Sequence, residues 1–384
     1  MFARISALVF LFNLSLPSYA DLVIEITKGV KAALPIAVVP FSNNTGRALP
    51  EDIAQIVGDD LLRSGNFEPL PRSRMLSLPS TGEDIYFRDW SILGQRSLLV
   101  GTISFDTLTQ EYKVQYELYD VQSQLPLTGK VLGGSQSKLR DIAHSIADDI
   151  YEILTGDRGV FSTQIAYVTL EKKNNSTLYT LEVADSDGRR SRRMFRSKMP
   201  IISPAWSPDG KKLAYVSFES GKPAIFIQDK ASGVRTQISN STGLNSAPAW
   251  SPDGNKMAMT LSKDGNAEVY VLNLQSSNLQ RLTNHWAIDT EPSWSPNGNN
   301  IVFTSDRGGG PQVYLMPAIG GKPQRLTFEG TYNARPRFSL DGKSIYYVHQ
   351  RSGFNLAALD LESGQNTILT ETEMDHRALL QMEV

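Results

Sequence analysis

The chain has 384 residues, a formal charge of −2 and no cysteine. That length suits two domains with a sizeable core, and the near-neutral charge argues against holding nucleic acid by bulk electrostatics. The lack of cysteine excludes disulfides, thiolate zinc sites, a cysteine nucleophile and a lipidated N-terminal cysteine.

Residues 1–20 read as a cleavable export signal: Arg4 supplies a positive start, Ile5 to Leu16 is mostly apolar, and Ser18-Tyr19-Ala20 places small residues at −3 and −1. No later stretch is long and apolar enough to span a bilayer, so a disulfide-free exported protein of a bacterial periplasm is expected. Cleavage before Asp21 makes residues 21–34 the mature N-terminus. Asp21 to Thr27 partly alternates apolar and polar residues, and Gly29 punctuates it. A β-prone chain end can add to a partner's sheet edge or dock on its own domain.

An α/β domain is expected over 35–157. Pro35 to Phe41 reads as a buried strand, and Asp52 to Arg63 as a helix with Ile53, Ile56, Val57 and Leu61 on one face. Ser97 to Ile103 and Tyr112 to Val121 read as strands. Lys138 to Leu154 reads as a second helix, with a stripe of Leu139, Ile142, Ile146, Ile150, Ile153 and Leu154 stopped by Gly156. Gly133-Gly134-Ser135 reads as a short loop and is weak evidence for a phosphate cradle.

From about residue 158 to 372 the chain repeats itself. Pro-Ala-Trp-Ser-Pro-Asp-Gly begins at Pro204 and Pro248, Pro-Ser-Trp-Ser-Pro-Asn-Gly at Pro292, and a blurred copy at Pro336. Trp206, Trp250, Trp294 and Phe338 are each 44 residues apart. Leu213, Met257, Ile301 and Ile345 keep the same period, as do Phe226, Tyr270, Tyr314 and Ala358. Four short strands per repeat of this length, separated by turn residues, indicate β-propeller blades. The large aromatics suit packing of sheet on sheet better than ligand stacking, and the Asp of each turn suits turn formation better than metal ligation. Asp185-Ser186-Asp187-Gly188 resembles the start of a calcium loop but lacks its downstream Glu. The basic run Arg189, Arg190, Arg192, Arg193, Arg196 and Lys198 reads as a solvated inter-strand loop. Ile165 to Val168 matches the Leu213 to Val216 strand, but no Pro-Ala-Trp precedes it, so the first blade is expected to lack its first strand.

An export signal, a β-prone mature end, Pro-Ile-Ala-Val-Val-Pro-Phe at 35–41, Trp-Ser-Pro-Asp-Gly repeats and Thr290-Glu291-Pro292 together resemble the TolB family of the Tol–Pal cell-envelope system. The resemblance implies a six-bladed propeller, here incomplete at about five blades. It also implies a non-enzymatic adaptor without cofactor or metal, peripheral to the envelope. Such an adaptor maintains envelope integrity and supports outer-membrane constriction at division. The inner-membrane partner TolA would bind the segment Asp21, Leu22, Val23, Ile24, Glu25, Ile26, Thr27, Lys28, Gly29 and Val30. The outer-membrane lipoprotein Pal would dock over the propeller opening, at Ala247 and Thr290. Leu244 stands where the family has His, and the loops at Met199-Pro200 and Arg335 extend the surface. Outer-membrane proteins are further candidate partners.

The tail departs from the family. Residues 373–384 fit no blade, although an aromatic is due near 382. Ala-Leu-Leu-Gln-Met-Glu-Val can be encoded so that a shifted frame reads Phe-Ala-Pro-Asn-Gly-Ser, so a frameshift near Asp375 is expected. Rival readings are the propeller of a hydrolase and a small-ligand propeller. The first requires a Gly-x-Ser-x-Gly elbow, which is absent, and His144, His285, His349 and His376 lie in unrelated contexts.

Overall fold

The structure, a computed structural model, describes residues 33–173, 176–350 and 353–370. The export signal, the 21–30 segment and the tail beyond 370 lie outside the described residues.

The first domain is a mixed sheet with helices on it. Its elements are β1 (Leu34–Val38), β2 (Ser42–Asn43), α1 (Ile53–Arg63), β3 (Phe67–Pro69), α2 (Phe87–Ile92), β4 (Ser97–Asp106), β5 (Glu111–Asp120), β6 (Pro126–Gly134) and α3 (Leu139–Thr155). The sheet runs β3-β1-β4-β5-β6, with β1 parallel to β3 and β4 and with β4–β5 and β5–β6 antiparallel; β2 adds to β4 in parallel. Side chains alternate across β1, so the strand is buried on both faces. Ile36 and Val38 join Val57 and Leu61 of α1 and Ile146 and Ile150 of α3 in one core. Ala37 and Val39 join Trp90 of α2 in the other. Asp52 caps α1 by accepting from the Gln55 N–H (3.0 Å), and Gly156 ends α3 at φ 81°.

Three sequence expectations need correction here. Gly133 and Gly134 are not a loop but the end of β6, paired with Lys113 and Tyr112. Ile153 is exposed rather than part of the α3 stripe. The 189–198 basic run is not all loop, because Arg192 to Ser197 forms a strand.

Among the described residues the second region is five sheets in chain order. The first has three strands, β7 (Gln164–Lys173), β8 (Ser176–Asp185) and β9 (Arg192–Ser197). Four-stranded sheets follow: β10 (Ile201–Trp206), β11 (Lys212–Ser217), β12 (Ala224–Asp229) and β13 (Arg235–Ser239); then β14 (Asn245–Trp250), β15 (Lys256–Leu261), β16 (Glu268–Asn273) and β17 (Leu279–Arg281). The last two are β18 (Asp289–Trp294), β19 (Asn300–Ser305), β20 (Gln312–Pro317) and β21 (Gln324–Arg325); and β22 (Tyr332–Phe338), β23 (Ser344–Gln350), β24 (Phe354–Asp360) and β25 (Asn366–Ile368). Among the described residues this is a five-bladed β-propeller region, and its first blade has no strand in the place that carries Pro-x-Trp or Pro-x-Phe in the other four.

The repeated heptad does two jobs. Ser207 Oγ donates to Asp209 Oδ1 (2.7 Å), the Lys211 N–H donates to the same oxygen (3.1 Å), and Gly210 takes φ 65°. The later copies at Ser251, Ser295 and Ser339 repeat these bonds. The tryptophan ties blades together: the Trp250 indole N–H donates to Ala205 O and that of Trp294 to Ala249 O, both at 3.1 Å. Trp206 has no such acceptor, and its buried Nε1 is unpartnered. The residue one period before Ala205 is Phe161, which packs instead into the core of the α/β domain.

Trp250→Phe keeps the packing but deletes a buried donor, and is expected to lower stability by about 1 kcal/mol. Trp206→Phe removes a donor that bonds nothing and is expected to be neutral. Chemical denaturation of the two variants checks the contrast.

Candidate interaction surface

The propeller has two unlike ends. The loops that enter β10, β14 and β18 bond to the loops between second and third strands of a blade. The Phe218 N–H donates to Pro200 O (3.0 Å), the Ser262 N–H to Leu244 O (3.2 Å) and the Asp306 N–H to Ile288 O (3.3 Å). The Ser-Pro-Asp-Gly turns bond the other set, as Lys230 N–H to Lys211 O (2.8 Å) and Leu274 N–H to Asn255 O (2.9 Å). Repeated residues therefore close one end, and variable loops crown the other.

Met199, Pro200 and Leu244 lie on the variable end, with Met199 and Leu244 exposed. Ala247, Thr290 and Arg335 lie within the first strands of their blades. The strand pairing there slips at a β-bulge in each four-stranded blade. Ser203, Ala247, Glu291 and Arg335 occupy the bulges at φ 52°, 48°, 56° and 56°. A left-handed non-glycine residue directly before proline is strained, and such positions persist only where the surroundings enforce them. At two of them the side chains meet: Arg335 Nε lies 3.1 Å from Glu291 Oε1, and Thr304 Oγ1 donates to Glu291 Oε2 (3.0 Å). Thr290 accepts from Thr260 across the blade boundary (3.3 Å).

The sequence reading missed the most exposed aromatics of this end. Trp286 is 78% and Phe328 71% exposed, and Ile288 is also open. The available signal was a tryptophan off the period, since Thr242 and Gly330 stand one period to either side of Trp286. Glu291 and Arg335 carried a signal too, as opposite charges one period apart where the earlier copies have Ser203 and Ala247.

The α/β domain is held to the first blade by a buried ion network. Arg140 of α3 contacts Asp187, lies 3.4 Å from Asp185 Oδ2 and reaches Glu51 (3.0 Å). Arg190 donates from Nε to Asp185 (2.6 Å) and pairs with Asp141 of α3. Arg190 is exposed in the β8–β9 loop, as the sequence indicates, but it also pairs across the domain boundary. His144 bonds Asp60 through Nδ1 (2.6 Å), with Nε2 4.0 Å from Asp185. His144, Asp185 and Asp187 present ligand atoms within 4.8 Å of one another, but both carboxylates already face guanidinium groups. Burial favours the neutral form of Asp187, yet the Arg189 N–H and the Arg140 guanidinium outweigh it and hold the carboxyl below 3.8. The network joins the β8–β9 turn, the counterpart of the Lys230 turn, so the α/β domain attaches at the repeated-turn end.

Against known families, the TolB beta propeller domain matches residues 151–380, over half of the chain, and the TolB amino-terminal domain matches residues 22–127. The chain belongs to the TolB family. It is similar to the Tol-Pal system protein TolB of Hahella chejuensis, at 66% identity over 228 residues, which is 59% of this chain and 53% of the relative. It resembles that of Marinomonas sp. at 50% identity over 229 residues, again 59% and 53% of the two chains. The chain thus spans about half the length of the curated relatives it matches. Its fold is also that of the crystal structure of TolB from Acinetobacter baumannii, with 41% identity, a TM-score of 0.83, and coverage of 91% of this chain and 86% of that one. Among the described residues no helix is long and apolar enough to cross a membrane.

Removing Arg140 strands buried carboxylates, so Arg140→Ala is expected to cost about 3 kcal/mol and to separate the unfolding of the two domains in calorimetry. Asp141 and Asp187 both have depressed folded values, so their contribution is present above the ordinary aspartate value of 3.8. It is lost as pH falls through the folded values, and coupling between the domains should weaken in strong acid.

Proposed function

We propose that the chain is a non-enzymatic periplasmic adaptor of the Tol–Pal system. Pal docks on the variable end of the propeller, around Leu244, the 199–200 loop and, in the first strands of their blades rather than in loops, Ala247, Thr290 and Arg335. TolA takes the mature N-terminal segment Asp21 to Val30. The observation that carries this reading is the division of the propeller ends. Exposed apolar side chains and strained bulges stand at one end, and the α/β domain is ion-paired to the other. Exposed apolar residues with a polar surround are the usual marks of a protein-binding face. Membership of the TolB family, whose relatives are named Tol-Pal system proteins, supports the system assigned.

The test uses the full chain, its N-terminally deleted form and a face variant, each captured against purified Pal and TolA. Deleting 21–30 is expected to abolish TolA capture and leave Pal capture intact. Thr290→Arg is expected to weaken Pal binding by about tenfold or more, or 1.4 kcal/mol, and to leave TolA capture unchanged. Loss of both partners in either variant contradicts the division of roles.

A further inference from the structure

Two carboxylates are buried between the third and fourth sheets. Glu268 on β16 and Asp289 at the start of β18 are both 0% exposed. Each has one oxygen engaged. Glu268 Oε1 accepts from Arg281 Nη2 (2.9 Å) and from the His285 N–H (2.6 Å), and Asp289 Oδ2 accepts from Arg307 Nη2 (2.6 Å). The remaining oxygens, Glu268 Oε2 and Asp289 Oδ1, are buried with no partner.

The next sheet boundary explains the arrangement. One period of 44 residues later, the same two positions are Gln312 and Asn333. There the side chains bond directly, Asn333 Nδ2 donating to Gln312 Oε1 at 2.8 Å. Two ionised carboxylates at these paired positions offer acceptors only, and a charged oxygen without a donor is costly at a buried site. One proton on the Asp289 side reproduces the donor that Asn333 supplies. We propose that Glu268 and Asp289 form a proton-binding site, in which Asp289 Oδ1 retains a proton at neutral pH and donates it to Glu268 Oε2.

The surroundings act in the same sense. Burial raises the Asp289 carboxyl above 3.8, opposed by the Ser305 hydroxyl and Arg307, with Glu268 adding to the rise. Arg281 and Arg307 face the pair from β17 and from the loop after β19, and Arg307 lies over Phe303 and Tyr314. Tyr270 on β16 bonds Asp264, which pairs with Lys263. His285 and Asp306 face the intervening loop, accepting from the Ala287 N–H (3.1 Å) and the Ile288 N–H (2.8 Å).

That loop is what the proton holds. His285 N–H ends on Glu268, Asp289 N–H on Ala267 O (2.9 Å), and the exposed Trp286 lies between them in the chain. Deprotonation places two charges together beneath the loop and loosens it. The consequence for docking rests on the function proposed above; the proton itself does not. Because the folded value is raised, stability is lost as pH rises from 3.8 through the folded value, and the loss is constant above it.

Infrared difference spectroscopy of the full chain at neutral pH tests the site directly. The wild type is expected to show a protonated-carboxyl carbonyl band that Asp289→Asn abolishes. Hydrogen exchange at the Asp289 and His285 amides should accelerate about tenfold between neutral and alkaline pH in the wild type, after correction for intrinsic exchange, and not in Asp289→Asn. Glu268→Gln, which recreates the neutral acceptor of Gln312, serves as a second variant should the first fold poorly; it too is expected to lose the pH-dependent acceleration. A wild type with no such band, a band indifferent to Asp289→Asn, or one sodium or calcium ion per chain released by that substitution would overturn the proposal.

Discussion

An indole hydrogen bond at two successive blade boundaries fixes how the neighbouring sheets meet. The tryptophan that ends the first strand of one blade donates to the carbonyl before the corresponding tryptophan of the previous blade. The bond fixes distance and rotation between neighbouring sheets, while apolar residues such as Met257, Met259 and Tyr270 fill the space between them. Packing alone is tolerant of slippage, whereas a buried N–H needs its acceptor at one place. The Ser-Pro-Asp-Gly turn follows immediately, so one short segment both positions a sheet against its neighbour and reverses the chain.

The Arg140 and Arg190 network extends that order to the other domain. It joins the helix α3, the α1 residue Asp60 through His144, and the β8–β9 turn in one buried set of charges. Buried ion pairs contribute less net stability than well-packed apolar groups, but each partner is costly to leave alone. Such a network therefore specifies orientation more than it adds strength. It places the chain's N-terminal domain and its variable propeller loops at opposite ends of the propeller.

Much of this was legible because it is local or periodic. The 44-residue spacing, the turn chemistry, the first strand absent from the first blade among the described residues and the helix beginning near Asp52 each follow from residues a few positions apart, or from one repeat distance. What was not legible depends on distant partners. Strand β6 is mostly exposed, has no apolar alternation and ends in two glycines, so only its pairing with β5 makes it a strand. The pairing of Arg190 was not legible because nothing nearby announces Asp141, 49 positions away. The bulges at Ser203, Ala247, Glu291 and Arg335 were hidden because proline normally steers the residue before it towards an extended conformation.

Those bulges separate two demands that usually compete for the same residue. The four positions share a backbone shape imposed by neighbouring strands, yet they carry Ser, Ala, Glu and Arg. Their side chains contribute little to deciding the fold, so substitution there changes the chemistry of the strand interior without rewriting the instructions for building a blade. A scaffold arranged in this way can exchange these side chains one blade at a time.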